Sequence, residues 1–216
     1  MNSKILIAVL AIALVAACAK LAMGGSGCSA TDGGSAVDSS AIVFDNIMSR
    51  TSVRAYLDRK VEDEKVEKML RAGMAAPSAV NAQPWHFIVV SDTALLASLA
   101  ESCPNAKMAA SAPLAIVVCG DMDKTPNENI RPFWVQDASA ATENILLEAN
   151  ALGLGAVWTG TYPSEERCAK VAELLNLPAN IIPLNTIVIG YPKDKPQPKD
   201  KWKTENVSYN KYGMKK

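Results

Sequence analysis

Ser49-Arg50-Thr51-Ser52-Val53-Arg54 places two guanidinium groups among three hydroxyls. Arginine forks match phosphate oxygens two at a time, and hydroxyls add short hydrogen bonds. The chemistry this fits is a phosphate clamp, and the bland reading is an exposed helix end. A second stretch, Ala76-Pro77-Ser78-Ala79-Val80-Asn81-Ala82-Gln83-Pro84-Trp85, brackets hydroxyl and amide side chains between two prolines. The prolines fix the path of the loop, so Ser78, Asn81 and Gln83 can hold set directions. Amides both donate and accept, which suits the edge of a heteroaromatic ring. A rigid turn is the alternative.

Other chemistries are excluded by what the chain lacks. Its one histidine, His86, rules out a multi-histidine metal site. There is no G-x-S-x-G elbow, P-loop, HExxH or CxxC. Gly153-Leu154-Gly155 lacks the third glycine of a dinucleotide fingerprint, with Trp158 standing in its place. No side-chain catalyst and no metal are expected. A bound cofactor would carry the chemistry.

The elements that must position these motifs can be read from periodicity. Glu62–Ala76 reads as an amphipathic helix stopped by Pro77, with Val66, Met69, Leu70, Gly73 and Met74 at helical spacing. Trp85–Ser91 is an aromatic and β-branched strand, and Asp92 can cap a helix over Thr93–Ser102. Leu114–Gly120 is a continuous apolar strand, expected to be buried on both faces. Pro132–Leu152 is the longest predicted helix, ended by Gly153. Ala156–Thr161 and Thr186–Gly190 read as strands, with a helix Glu165–Asn176 capped by Ser164 between them. Prolines and lysines keep Tyr191–Lys216 irregular. The order of elements gives an α+β, or mixed α/β, layered domain.

Residues 1–17 are different in kind. Ile5–Ala17 is an unbroken apolar run, too short to span a bilayer comfortably and suited to a secretory signal. It ends at Val15-Ala16-Ala17-Cys18, which resembles a bacterial lipobox and implies a lipid anchor on Cys18. Residues 18–41 are Gly/Ser-rich and read as a flexible linker, leaving 42–216 as the domain. Cys28 falls in that linker without an assigned role. Cys119 and Cys168 read as packed free thiols. Basic and acidic residues balance at 22 each, so nothing points to nucleic acid.

Taken together, S-R-x-S-x-R followed at a distance by A-P-S-A-x-N-x-Q-P-W resembles the FMN-dependent nitroreductase family. Asn144–Ala149 followed by Leu152–Gly160 is similar to that family's central helix and flavin-facing strand. Ile189-Gly190-Tyr191-Pro192 with the lysines beyond it resembles its C-terminal signature. The resemblance spans about residues 42–202.

It implies a mostly antiparallel sheet flanked by helices, in a homodimer with an exchanged C-terminal segment and FMN at the subunit interface. Arg50, Thr51, Ser52 and Arg54 would hold the phosphate and nearby flavin groups. Pro77, Ser78 and Asn81 would come from the other chain. Thr159 and Gly160 would present backbone N–H groups near the flavin. Lys199 and Lys201 would close on the phosphate, although the family often carries arginine at the latter. The implied reaction is ping-pong hydride transfer from NADH or NADPH to a nitroaromatic or quinone acceptor. Reductive dehalogenation, flavin-dependent oxidation of a metabolite and a non-enzymatic surface lipoprotein stay open. Nicotinamide donors are cytoplasmic, whereas the N-terminus points to export. Either the signal is misread or the donor differs.

Overall fold

The computed structural model describes residues 38–216. The expected signal, lipobox, most of the linker and Cys28 lie outside the described residues. Helix α1 (Ser39–Ser49) opens the described chain, so 39–41, at the end of the expected linker, are helical. α2 (Asp63–Met74) follows, then a 3-10 turn at Ala79–Asn81 and strand β1 (Trp85–Val90). α3 (Thr93–Ser102) leads through a 3-10 stretch, Pro104–Ser111, into β2 (Leu114–Asp121). α4 (Trp134–Ala151), β3 (Gly155–Gly160), α5 (Glu165–Leu174) and β4 (Ile181–Gly190) complete the order. Asp92 and Ser164 cap α3 and α5 by accepting from Leu95 and Arg167 backbone N–H groups.

The strands form one antiparallel sheet in the order β1-β2-β4-β3. β2 is buried on both faces and its alternation sorts two cores. Leu114, Ile116 and Val118 join α2 and α4 residues such as Met69, Ile145 and Leu146. Ala115, Val117 and Cys119 face the other way, toward Leu96 and Leu99 of α3 and Val171 of α5. The α4 stripe of small residues does what its composition suggests: Ala138, Ala141 and Ala149 are wholly buried.

Three expectations need correction. β4 begins at Ile181, not Thr186, because Pro183 sits at a register shift opposite Cys119, where a missing N–H is tolerated. α4 begins at Trp134, since Pro132 belongs to a separate 3-10 turn, Arg131–Phe133. α2 ends at Met74, short of Pro77, with the chain already turning at Ala75. The tail is irregular as expected, apart from a 3-10 turn at Thr204–Asn206.

Candidate functional site

The Arg50–Arg54 segment is pressed against β3. Ser52 bridges Ala156 in parallel, and the Val53 N–H donates to the Ala156 carbonyl at 3.0 Å. Gly155 permits this approach: a Cβ there would lie 2.7 Å from Val53. Tyr56 pins the segment, its single hydroxyl proton shared between the carbonyls of Val53 at 2.6 Å and Val188 at 3.0 Å. At its start, Arg50 is tied to α4 by an ion pair with Glu143, 3.0 Å from Nε to Oε1. Asn150 on α4 donates to Asn46 and Ser49, holding the end of α1 in place.

The tail returns to the same place. Tyr56 bridges Pro192, the Leu57 N–H donates to Tyr191, and the Lys193 N–H donates to Ala55. Residues 194–201 then close one wall of a cleft of about 470 Å³. Arg50, Thr51, Ser52, Val53 and Arg54 form the facing wall, and Lys199 and Lys201 lie across from them. Six of the expected site residues thus meet in one cleft. The lining holds five cations, Arg50, Arg54, Lys195, Lys199 and Lys201, against one carboxylate, Asp194, a net of +4. Of these cations only Arg50 forms an ion pair within the described chain. A dianionic phosphate is the ligand such a donor set fits.

Thr159 and Gly160 lie on β3, an edge strand of the sheet, three and four residues beyond the Ser52 bridge at Ala156, or about 10 and about 13 Å along the strand. The Thr159 hydroxyl is buried and committed to the Thr186 carbonyl at 2.7 Å, and its backbone belongs to the β3–β4 ladder that continues in the Thr161 N–H to Leu184 bond, which leaves Gly160 as the backbone turned to the free edge. Gly160 faces open space, the nearest atom to a built Cβ being the Tyr162 carbonyl oxygen at 4.0 Å.

Pro77, Ser78 and Asn81 do not line this cleft. Their loop is built with unusual backbone: Val80, Asn81 and Gln83 all have positive φ, at 47°, 55° and 50°. A β-branched residue at such a φ is strained, and strain of this kind gathers where a segment is held for a purpose. Buried Asp137 on α4 accepts from the Ala79 N–H at 2.9 Å, and the Ser78 hydroxyl accepts from the Gln83 N–H at 2.9 Å. The Asn81 side-chain oxygen accepts from Gln83 Nε2 at 3.1 Å, and its amide N–H groups have no protein acceptor among the described residues. His86 is exposed on β1. It borders a smaller pocket with Gln83, Trp85 and Lys124, away from the cationic cleft.

Burial pushes the Cys119 thiol up to about 12, and Cys168 is raised for the same reason. Both are poor nucleophiles there. Lys195 and Gln197 line the cleft yet escaped the sequence reading. The only signal for them was proximity to Lys199 in a proline-rich run.

The sequence matches the Nitroreductase family over residues 47–106 and 100–191. The chain belongs to the nitroreductase family. Among nitroreductase relatives, a protein of Archaeoglobus fulgidus with the provisional name NADH dehydrogenase/NAD(P)H nitroreductase is 50% identical over 151 residues, covering 69% of this chain and 84% of its own. A crystal structure of a similarly named Bacteroides thetaiotaomicron protein is 49% identical, with a TM-score of 0.75 over 79% of this chain and 98% of that one. A Desulfovibrio desulfuricans protein provisionally named a nitroreductase, solved in complex with FMN, is 32% identical with a TM-score of 0.66. That match covers 79% of this chain and 97% of that one.

Proposed function

We propose that this nitroreductase-family chain is an FMN-dependent oxidoreductase that moves hydride from NADH or NADPH to nitroaromatic, quinone or similar acceptors. The observation that carries the reading is the net +4 cleft joining Arg50, Thr51, Ser52 and Arg54 to Lys199 and Lys201. When bound, FMN supplies the acceptance and release of hydride.

The protein's own part is to hold and to orient. Arg50, Arg54, Lys199 and Lys201 neutralise the phosphate, and the Thr51 and Ser52 hydroxyls complete its hydrogen bonds. Glu143 fixes the Arg50 guanidinium, so its direction is set before any ligand arrives. Gly160 offers a backbone donor at the free edge of β3, and Thr159 holds that strand to β4. The Asn81 amide, held by the strained Pro77–Gln83 loop, serves the flavin of a second copy.

That last role needs a homodimer. Support for one comes from α1, whose Ile42, Val43, Phe44, Ile47 and Met48 are all exposed. An exchanged C-terminal segment belongs to the same reading. Purified full-length protein should be yellow, and NADH or NADPH added without oxygen should bleach it. Colourless protein that takes up no added FMN would sink the assignment.

The lipid anchor on Cys18 is likewise proposed, on the apolar run that ends there. Radiolabelled palmitate should enter the wild-type chain and not Cys18→Ser. Equal labelling of both would remove the anchor.

A further inference from the structure

We propose that Tyr191 is a positioning residue that sets the lysine wall of the cleft and thereby the preference for a phosphorylated flavin. The inference rests on the FMN reading of the cleft and adds a residue outside its lining.

Tyr191 lies where the chain leaves β4 and enters the tail. Its hydroxyl donates to Glu62 Oε2 at 2.6 Å and accepts from Lys65 Nζ at 2.9 Å, so both of its capacities are used. The Arg59 guanidinium stacks over its ring, 3.8 Å from the centroid, and also donates to Glu62 at 2.9 Å. Lys65 donates in addition to the carbonyl of Leu152, at the end of α4. One phenol therefore joins the start of α2, the end of α4 and the root of the tail.

Glu62 occupies the N-cap position of α2, yet its side chain caps nothing there. The short side chains of Asp, Asn, Ser and Thr are the ones that cap from that position, and the longer Glu62 carboxylate is free for other partners. Here it is turned to Tyr191 and Arg59 instead. The Tyr191 hydroxyl, first among its partners, holds the Glu62 carboxyl down at about 2.

The wall depends on this root, which consists of the Tyr191 phenol and the backbone ties of Tyr191 to Leu57, Pro192 to Tyr56 and Lys193 to Ala55. After Lys193, the hydrogen bonds made by side chains of residues 194–201 stay within the tail: Gln197 to the Lys195 carbonyl, and the Trp202 N–H to Asp200. Pro192, Pro196 and Pro198 stiffen the same stretch. A direction set at Tyr191 is carried along that stretch to Lys195, Lys199 and Lys201. Loosening the root should misalign the lysines and leave the β3 side of the site intact.

The test compares FMN with riboflavin, which lacks the phosphate, by flavin-fluorescence titration of full-length protein. Wild type should bind FMN more tightly than riboflavin. Tyr191→Phe, which keeps the ring under Arg59, should reduce that preference about fivefold to tenfold, less than the outright loss of a hydrogen bond to a charged group because the lysines are misaligned and not removed. Its riboflavin affinity should be unchanged. Glu62→Gln should shift the preference in the same direction. A preference that survives Tyr191→Phe, or a fall shared equally by both flavins, overturns the positioning role. A wild type with no preference for FMN overturns the phosphate reading of the cleft, and this inference with it.

Discussion

Arg50 is the residue on which the phosphate reading can be tested most directly. It is the one cation of the cleft already held by a carboxylate, Glu143. That pair is partly exposed, so its own contribution to folding is small. Its value lies in fixing the direction of the guanidinium. Arg50→Ala should weaken FMN binding by about 1.5–3 kcal/mol, the range for hydrogen bonds to charged groups. Riboflavin binding should change much less. Unaltered FMN affinity in a titration would remove Arg50 from the site. The arginine pair became legible in the sequence only together with the Pro77–Trp85 stretch and the later motifs, since two arginines among hydroxyls also suit an exposed helix end. Lys195 and Gln197 were not, since nothing local marks which lysines of a basic tail fold back and which stay in solvent.

Elements repeat this division between local and distant signals. The β2 run Leu114–Gly120 could be read directly, because continuous apolar β-branched sequence has few other homes. The start of β4 was hidden by Pro183, which argues against a strand unless a register shift accommodates it. α1 was hidden because none of its apolar residues is buried among the described residues and it follows a Gly/Ser-rich stretch. Tyr56 and Cys119 tie the outer segment and β2 to the rest of the sheet, and both are neutral when folded. Burial raises the Tyr56 hydroxyl well above its ordinary 10.0 and the Cys119 thiol from 9.0 to about 12. Above pH 9 the unfolded chain loses protons that the folded chain keeps, so stability falls as pH rises. Their contribution is complete below pH 9 and is lost progressively toward about 12. Thermal melts between pH 8 and 11 should therefore decline. The decline should be shallower in the double variant Tyr56→Phe, Cys119→Ala, and an equally steep one would assign it to other groups.

At the scale of the whole molecule, the two motifs that first pointed to a cofactor do not share a pocket. Arg50–Arg54 lines the cationic cleft with the tail, whereas Gln83 and Trp85 border a separate surface with His86. On the proposed reading a single chain carries two half-sites, and a homodimer related by a two-fold axis would bring each to the other's complement. The loop makes sense on that arrangement. Its left-handed Val80 and Asn81 hold an exposed amide, at a cost in backbone strain that a merely connecting turn would avoid. Complementation between variants follows from the geometry. Arg50→Ala alone and Asn81→Ala alone should each be impaired in both sites of their homodimers. In a dimer formed from one chain of each, one site carries both defects and the other carries neither. Unfolding and refolding an equal mixture should restore about a quarter of wild-type activity through these mixed dimers. Refolding each variant by itself should restore none. If both motifs served the same site from the same chain, every site in the mixture would keep a defect. A refolded mixture no more active than the mean of its parents would place Asn81 beside its own chain's cleft.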